Sequence, residues 1–293
     1  MTETGSHLFC FGLGYSAKLL ADRLKLKGWR ITGTATTAEG QARLNAQGFR
    51  GLLFDGTARS DSVAEALQPA THVLLSIPPG PLGDPAHRWH GDDIASSKNI
   101  AWIGYFSTIG VYGDAQGGWV DETTPPRPGS ERGQRRLDAE VAWQTLGAHA
   151  GQRVMIFRLP GIYGPGRSTL DDLRAGTARR LIKPGQVFNR IHVEDIAQCV
   201  EAAMAPGIAS QVLNLIDDEP AAPQDVVAYG ATLLGLPCPP DIDFSAAKLS
   251  PMAQSFYSES KRVSNARMKA ALGVALRYPA YREGLLAILR QGA

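Results

Sequence analysis

Three cysteines in 293 residues, Cys10, Cys199 and Cys238, are too few and too scattered for a disulfide framework. No apolar run approaches the ~20 residues that a bilayer-crossing helix needs. Excess charge is missing as well. Thirty Lys and Arg against 28 Asp and Glu leave a net charge of +2, which gives no reason to expect nucleic acid as a partner. The opening residues, Met1-Thr2-Glu3-Thr4-Gly5, lack the basic and apolar regions of a signal peptide. Internal repeats and low-complexity tracts are also missing. A cytoplasmic protein without membrane or nucleic-acid partners is the expectation, with Cys10 and Cys199 as core residues. What is present is an ordinary globular composition, 44% hydrophobic and 20% charged. The length suits one large α/β domain, or a domain with a smaller lobe.

The chain is organised around residues 8–20. The short apolar run Leu8-Phe9-Cys10-Phe11 ends in Gly12-Leu13-Gly14, and a helical pattern through Ala17, Leu20, Ala21 and Leu24 follows at once. Gly12, Gly14 and Ala17 match the G-x-G-x-x-G/A spacing of dinucleotide-binding folds. Gly12 allows a tight turn, Gly14 lets the backbone approach a pyrophosphate, and Ala17 keeps the helix close to the strand. The helix start, with Tyr15 and Ser16, offers N–H groups and partial positive charge to phosphates.

Further apolar segments read as strands at 29–34, 51–54, 72–77, 100–107, 153–159 and 211–216, with helices through 40–47 and 62–67. Their near-continuous apolar character suits strands covered on both faces. Alternation with helices predicts right-handed βαβ units and a Rossmann-type, doubly wound parallel sheet. Residues 81–93 read as a polar, irregular loop, and His87, His90, Asp92 and Asp93 within it as solvated side chains rather than a metal site. No metal is expected. Residues 166–190 are basic and turn-rich, and the chain from Pro220 onward is rich in proline and short helices. The division expected is a dinucleotide-binding domain at 1–165 and 191–219, with a small substrate-binding lobe at 166–190 and 220–293.

The second strand ends without the acid that would bond a ribose 2′-OH and repel a 2′-phosphate. Thr34, Thr36 and Thr37 stand there instead, with Arg43 further on, so NADP is the preferred cofactor and NAD the alternative.

Four segments then carry a family resemblance. They are Phe106-Ser107-Thr108-Ile109-Gly110-Val111-Tyr112-Gly113, the run from Arg158 through Gly166, Arg190-Ile191-His192-Val193-Glu194-Asp195-Ile196-Ala197, and Asn214 through Pro220. In this order they resemble the extended short-chain dehydrogenases/reductases, the NAD-dependent epimerase/dehydratase group, up to about residue 220. The resemblance implies that Thr108 bonds the reacting substrate oxygen and that Asp55 contacts adenine. It also implies that Ser76, Ile77 and Pro78 line the cofactor, with Pro160 beside the nicotinamide. Arg167 and Arg190 fall where family members hold a nucleotide or sugar phosphate. Members often dimerise, so a homodimer is an implication of the same kind. Taken as residues alone, Asp55-Gly56 also fits a plain turn, Arg190 and Asp195 an ion pair, and His192 a packed or capping residue.

Departures narrow the reading. The family's catalytic Y-x-x-x-K would fall at Arg132 and Arg136, and no Tyr lies between Tyr112 and Tyr163, nor any Lys between Lys98 and Lys183. An arginine cannot exchange a proton usefully near neutral pH. Arg136 can still place positive charge near the nicotinamide ribose, and Arg132 can clamp an anion through two parallel hydrogen bonds. Ile109-Gly110 replaces the acidic pair of the dehydratases, which disfavours dehydration, and Phe11 replaces the first glycine of the extended-family spacing. The expectation is an NAD(P)-dependent oxidoreductase or epimerase. Its substrate would be small and phosphorylated or nucleotide-linked, with Thr108, Arg132 and Arg136 at a non-standard centre and Glu131, water or the substrate as acid/base. The alternative is a non-catalytic, redox-sensing or regulatory dinucleotide-binding protein.

Overall fold

The computed structural model describes residues 5–292. Met1–Thr4, read above for a leader, and Ala293 lie outside the described residues. The chain falls into two compact units. One comprises residues 1–108, 131–158 and 197–213, the other residues 109–130, 159–196 and 214–293.

The first unit holds the sheet. Its strands are β1 (His7–Phe11), β2 (Arg30–Ala35), β3 (Arg50–Leu53), β4 (His72–Leu75), β5 (Trp102–Thr108), β6 (Arg153–Leu159) and β7 (Gln211–Asn214). Their order across the sheet is β7-β6-β5-β4-β1-β2-β3, and the fold is the Rossmann type read from the sequence. β1 pairs in parallel with β2 on one side and with β4 on the other, so the order reverses at β1 and β4. Ligands of such sheets bind at the carboxyl ends of the strands beside that reversal. All five β1 residues are buried, as a central parallel strand requires.

Helix α1 (Tyr15–Leu26) buries Ala17, Leu20, Ala21 and Leu24 along one stripe, and Gly28 at φ +83° ends it. In α2 (Ala38–Ala46) the Thr37 hydroxyl caps the first turn. α3 spans Asp61–Leu67. The segment expected as an irregular loop is instead α4 (Pro85–Ala95). Asp84 accepts hydrogen bonds from the Ala86 and His87 amides at 2.9 and 3.1 Å, and Pro85 sits in the first turn. His90 is fully buried there, between Asp93 at 2.9 Å and the Ser60 amide at 3.4 Å. α5 (Glu131–Ala150) presents Ala139, Trp143 and Gly147 to the core, where Trp143 joins Phe11, Ile103, Tyr105 and Ile156. Fully burying one such side chain stabilises by about 1.5–3 kcal/mol.

The second unit is built from short parallel strand pairs. Gly161–Tyr163 lies beside Arg190–His192, Arg180–Ile182 beside Asp241–Asp243, and Trp119–Val120 beside Arg262–Val263. The helices α6 (Thr169–Arg174), α7 (Val193–Ala203), α8 (Pro223–Leu234), α9 (Pro251–Tyr257), α10 (Ala266–Leu272) and α11 (Tyr281–Gln291) complete the chain. Tyr163, Leu170, Val226, Tyr281, Leu285 and Ile288 form its main apolar cluster.

Candidate active site

The glycine turn closes β1 onto α1. Gly12 lies at φ +81°, and a Cβ placed there would come within 2.6 Å of Ile77 Cγ2 at the end of β4. Its amide donates to the Thr34 hydroxyl at 2.8 Å, and the Leu13 amide donates to the Thr34 carbonyl at 3.1 Å. Gly12 is thus required by the turn and by Ile77. Gly14 is different. Its φ of −91° suits any residue, and a Cβ there would meet nothing within 4 Å. The opening lies at the start of α1, which has no side-chain cap and no acid in its first turn. A pyrophosphate fits such a place: open space that a side chain would occupy, next to a positive helix terminus. Tyr15 opens α1 and is partly exposed, and Ser16 beside it is buried.

At the end of β2 two of the three threonines are already engaged. Thr34 is buried against the glycine turn, and Thr37 accepts from the Gly40 amide at 3.1 Å. Thr36 is exposed. Glu39, which sequence reasoning passed over, stands close to Thr37 and Arg43. Its own amide and Thr37 hold its carboxyl below the usual range, with Arg43 contributing. Beyond β3, Asp55 Oδ1 accepts from the Thr57 amide and hydroxyl at 2.9 and 2.7 Å, which keeps this exposed carboxylate low. Past β4, the Ser76 amide continues the ladder to the Phe11 carbonyl at 2.9 Å, Ile77 covers Gly12, and Pro78 is exposed.

Thr108 ends β5 and is half-buried. The preceding Ser107 donates to Glu140 of α5, and Glu140 is gripped by Arg158 of β6 through Nε (3.1 and 3.2 Å) and a terminal nitrogen (2.7 Å). All three side chains are buried. This network ties α5 to the carboxyl ends of β5 and β6, and the sequence analysis missed it. Its signal was a charged residue inside each of two apolar patterns, since such charges are buried only when paired. Arg136, four residues before Glu140, donates to the Phe106 carbonyl, and its guanidinium lies 5.8 Å from the centre of the buried Tyr105 ring. Burial pushes the Tyr105 phenol well above its ordinary range despite that cation. Arg132 is exposed one turn earlier on the same helix, and Glu131 pairs with Arg135 at 2.7 Å.

In the second unit, Pro160 precedes the Gly161–Tyr163 strand. Arg167 is exposed in a turn whose backbone pairs Gly164 with Arg167. Arg190 donates to the Phe188 and Ala221 carbonyls at 3.0 and 3.2 Å. Its acidic neighbour is Asp217, not Asp195. Asp195 accepts from the Arg277 and Tyr278 amides at 2.7 and 3.0 Å. Asp217 is buried without a hydrogen bond to either carboxylate oxygen, and burial raises it to about 8 although Arg190 pulls the other way. His192 accepts from the Glu194 amide at 3.2 Å and packs at a tilt against Tyr278, ring centres 4.1 Å apart, the capping and packing role considered for it.

No protein-family model matches the chain. UDP-glucuronic acid 4-epimerase from Bacillus cereus, solved with UDP-glucuronic acid and NAD, has the same fold. The TM-score is 0.79 at 16% identity, over 98% of this chain and 100% of that one. A functionally unknown conserved protein from Silicibacter pomeroyi DSS is 48% identical with a TM-score of 0.87, over 98% and 99% of the two chains. YeeZ of Escherichia coli (strain K12) is 31% identical over 241 residues, 78% of this chain and 84% of YeeZ. The chain belongs to the family of YeeZ. Its fold is of the epimerase/dehydratase type, with Arg132 and Arg136 on α5.

Proposed function

We propose that this protein is an extended short-chain dehydrogenase/reductase, a nicotinamide-dinucleotide-dependent oxidoreductase or epimerase acting on a small anionic substrate. The observation that carries the reading is the glycine turn, where Gly12 is pressed against Ile77 while Gly14 leaves space beside the uncapped start of α1. In this reading the first unit binds the cofactor. Gly12, Gly14, Tyr15 and Ser16 hold the pyrophosphate, Thr36 and Arg43 the adenosine ribose, and Asp55 the adenine. Ser76, Ile77 and Pro78 flank the rest. A nicotinamide dinucleotide, when bound, supplies hydride transfer. The Bacillus cereus epimerase, with NAD and a nucleotide sugar in its structure, supports a substrate of that chemical class.

Thr108 holds the reacting oxygen in this proposal. Arg136, anchored on the Phe106 carbonyl two residues before Thr108, supplies fixed positive charge at the end of β5. Arg132, exposed and one turn away, clamps a phosphate or carboxylate of the substrate, as a guanidinium does best. A guanidinium offers only donors and no proton to exchange near neutral pH, so the proton moves through water or a substrate group. Arg167 and Arg190 add positive charge to the second unit. The competing reading is a regulatory dinucleotide-binding protein, and it is favoured by the same fact, that Arg136 is committed to a backbone carbonyl where a proton-shuttling pair would stand.

Calorimetric titration with NADPH and NADH tests the cofactor. Binding of either is expected. Tighter NADPH binding means that Thr36 and Arg43 outweigh Glu39, and the reverse order means that the Glu39 carboxylate repels a 2′-phosphate. Absence of binding by both refutes the proposal.

A further inference from the structure

The sheet unit has a second concavity at the opposite edge from the glycine turn. Its walls come from the amino-terminal ends of the strands. His7 opens β1, Arg30 opens β2 and Arg50 opens β3, and Lys25 and Trp29 close the basin from the end of α1. The cavity measures about 310 Å³, at the lower end of the range for small-ligand sites.

Its charge is one-sided. On the surrounding surface cations are matched by acids, since Glu201 takes both Arg23 and Lys27, and Asp22 takes Lys18. Among the described residues no carboxylate lines the basin. Lys25 donates to the Gln47 carbonyl at 2.9 Å, a neutral partner. Among the described residues no salt bridge or hydrogen bond occupies the Arg30 or Arg50 guanidinium. His7 is 3% exposed, with Nε2 on the Thr32 hydroxyl at 2.8 Å, and its Nδ1 has no hydrogen-bond partner. Burial and the positive charge of Arg30 and Arg50 keep the ring below its ordinary pKa, against the pull of the Pro69 carbonyl. Three cations without a carboxylate partner among the described residues, around one cavity beside a buried imidazole, form a local excess of positive charge.

We infer that this basin is a second ligand site, distinct from the dinucleotide cleft, for a small polyvalent anion of the phosphate or pyrophosphate class. Arg30 and Arg50 grip the anion with paired N–H donors, Lys25 adds a third charge, and the Trp29 ring forms a wall.

The test is calorimetry with inorganic pyrophosphate on the full chain carrying Gly14→Val, so that the dinucleotide cleft cannot contribute. One bound pyrophosphate is expected, and adding Arg30→Ala and Arg50→Ala should weaken it by at least about tenfold per guanidinium removed. The same two substitutions in the parent should leave dinucleotide affinity unchanged. If the double variant fails to fold, Lys25→Glu, exposed at the end of α1, must by itself weaken pyrophosphate binding. No binding in the Gly14→Val protein, or binding indifferent to Arg30, Arg50 and Lys25, overturns the inference.

Discussion

Gly12 and Gly14 are two residues apart in one motif, and the structure predicts opposite consequences for replacing them. Alanine at Gly12 must adopt φ +81°, which costs about 1–2 kcal/mol for a residue with a Cβ. That Cβ also lands 2.6 Å from Ile77 Cγ2, and such overpacking costs about 1–3 kcal/mol. Together these give a loss of roughly 2–5 kcal/mol. At about 2–4 °C per kcal/mol for a large domain, the melting temperature should fall by roughly 4–20 °C. Valine at Gly14 meets neither obstacle, since φ is −91° and the Cβ has open space. A poorer helix cap costs a few tenths of a kcal/mol, and reduced freedom of the unfolded chain returns about 0.4–1 kcal/mol. Stability should therefore stay within about 1 kcal/mol of the parent. The side chain fills the space assigned to the pyrophosphate. Losing two amide contacts to a charged group, at about 1.5 kcal/mol each, weakens dinucleotide binding about a hundredfold. Thermal denaturation and calorimetric titration of both variants measure the two quantities separately. A Gly14→Val protein that binds dinucleotide like the parent refutes the assignment. One that melts as early as Gly12→Ala refutes the conformational reasoning.

Replacing Glu140 by Ala strands the buried Arg158 guanidinium and should cost about 3–5 kcal/mol in urea denaturation, whereas a loss under 1 kcal/mol would mean that water reaches the pair. Asp217, raised to about 8, holds a proton in the folded state that the unfolded chain releases near pH 4. Its contribution to stability is therefore present below pH 4 and lost as the pH rises through 8. Asp217→Asn should remove that decline, visible as a flatter melting temperature between pH 4 and 8, and an unchanged slope contradicts it. The double change Arg132→Tyr, Arg136→Lys puts a phenol and an ammonium on the first turns of α5. An accepted carbonyl or alcohol substrate should then be turned over about 10²–10⁴-fold faster by nicotinamide absorbance if a proton donor was the missing element. If Arg132 is an anion clamp, the same change should weaken phosphorylated-ligand binding. No change in either quantity places both arginines outside the site.

Local pattern was enough for the elements that the site is built on. A buried apolar run, two glycines and a helical stripe through Ala17, Leu20 and Leu24 are written within 17 residues, and the backbone has few other ways to satisfy them. The seven strands were legible for a related reason, because each carries a short apolar run and the central ones are buried on both faces. α4 was not, although Asp84-Pro85 carried a cap and first-turn signal, since His87, His90 and Asp93 break the apolar stripe and are each also met by a residue from elsewhere in the fold, Trp143, Ser60 and Arg59. Side-chain commitments were invisible in the same way. That the Thr34 hydroxyl serves Gly12 depends on β2 lying beside β1, 22 residues away. The meeting of Ser107, Glu140 and Arg158 needs β5, α5 and β6 assembled, and Asp217 beside Arg190 needs the second unit folded. By itself the sequence determined the seven strands of the sheet and the glycine turn between β1 and α1, because those follow from short-range periodicity and backbone freedom. Which polar groups remain available there, and which cations at the far edge lack a carboxylate, was decided only by the tertiary structure, because hydrogen bonds and charges are satisfied by proximity in space rather than along the chain.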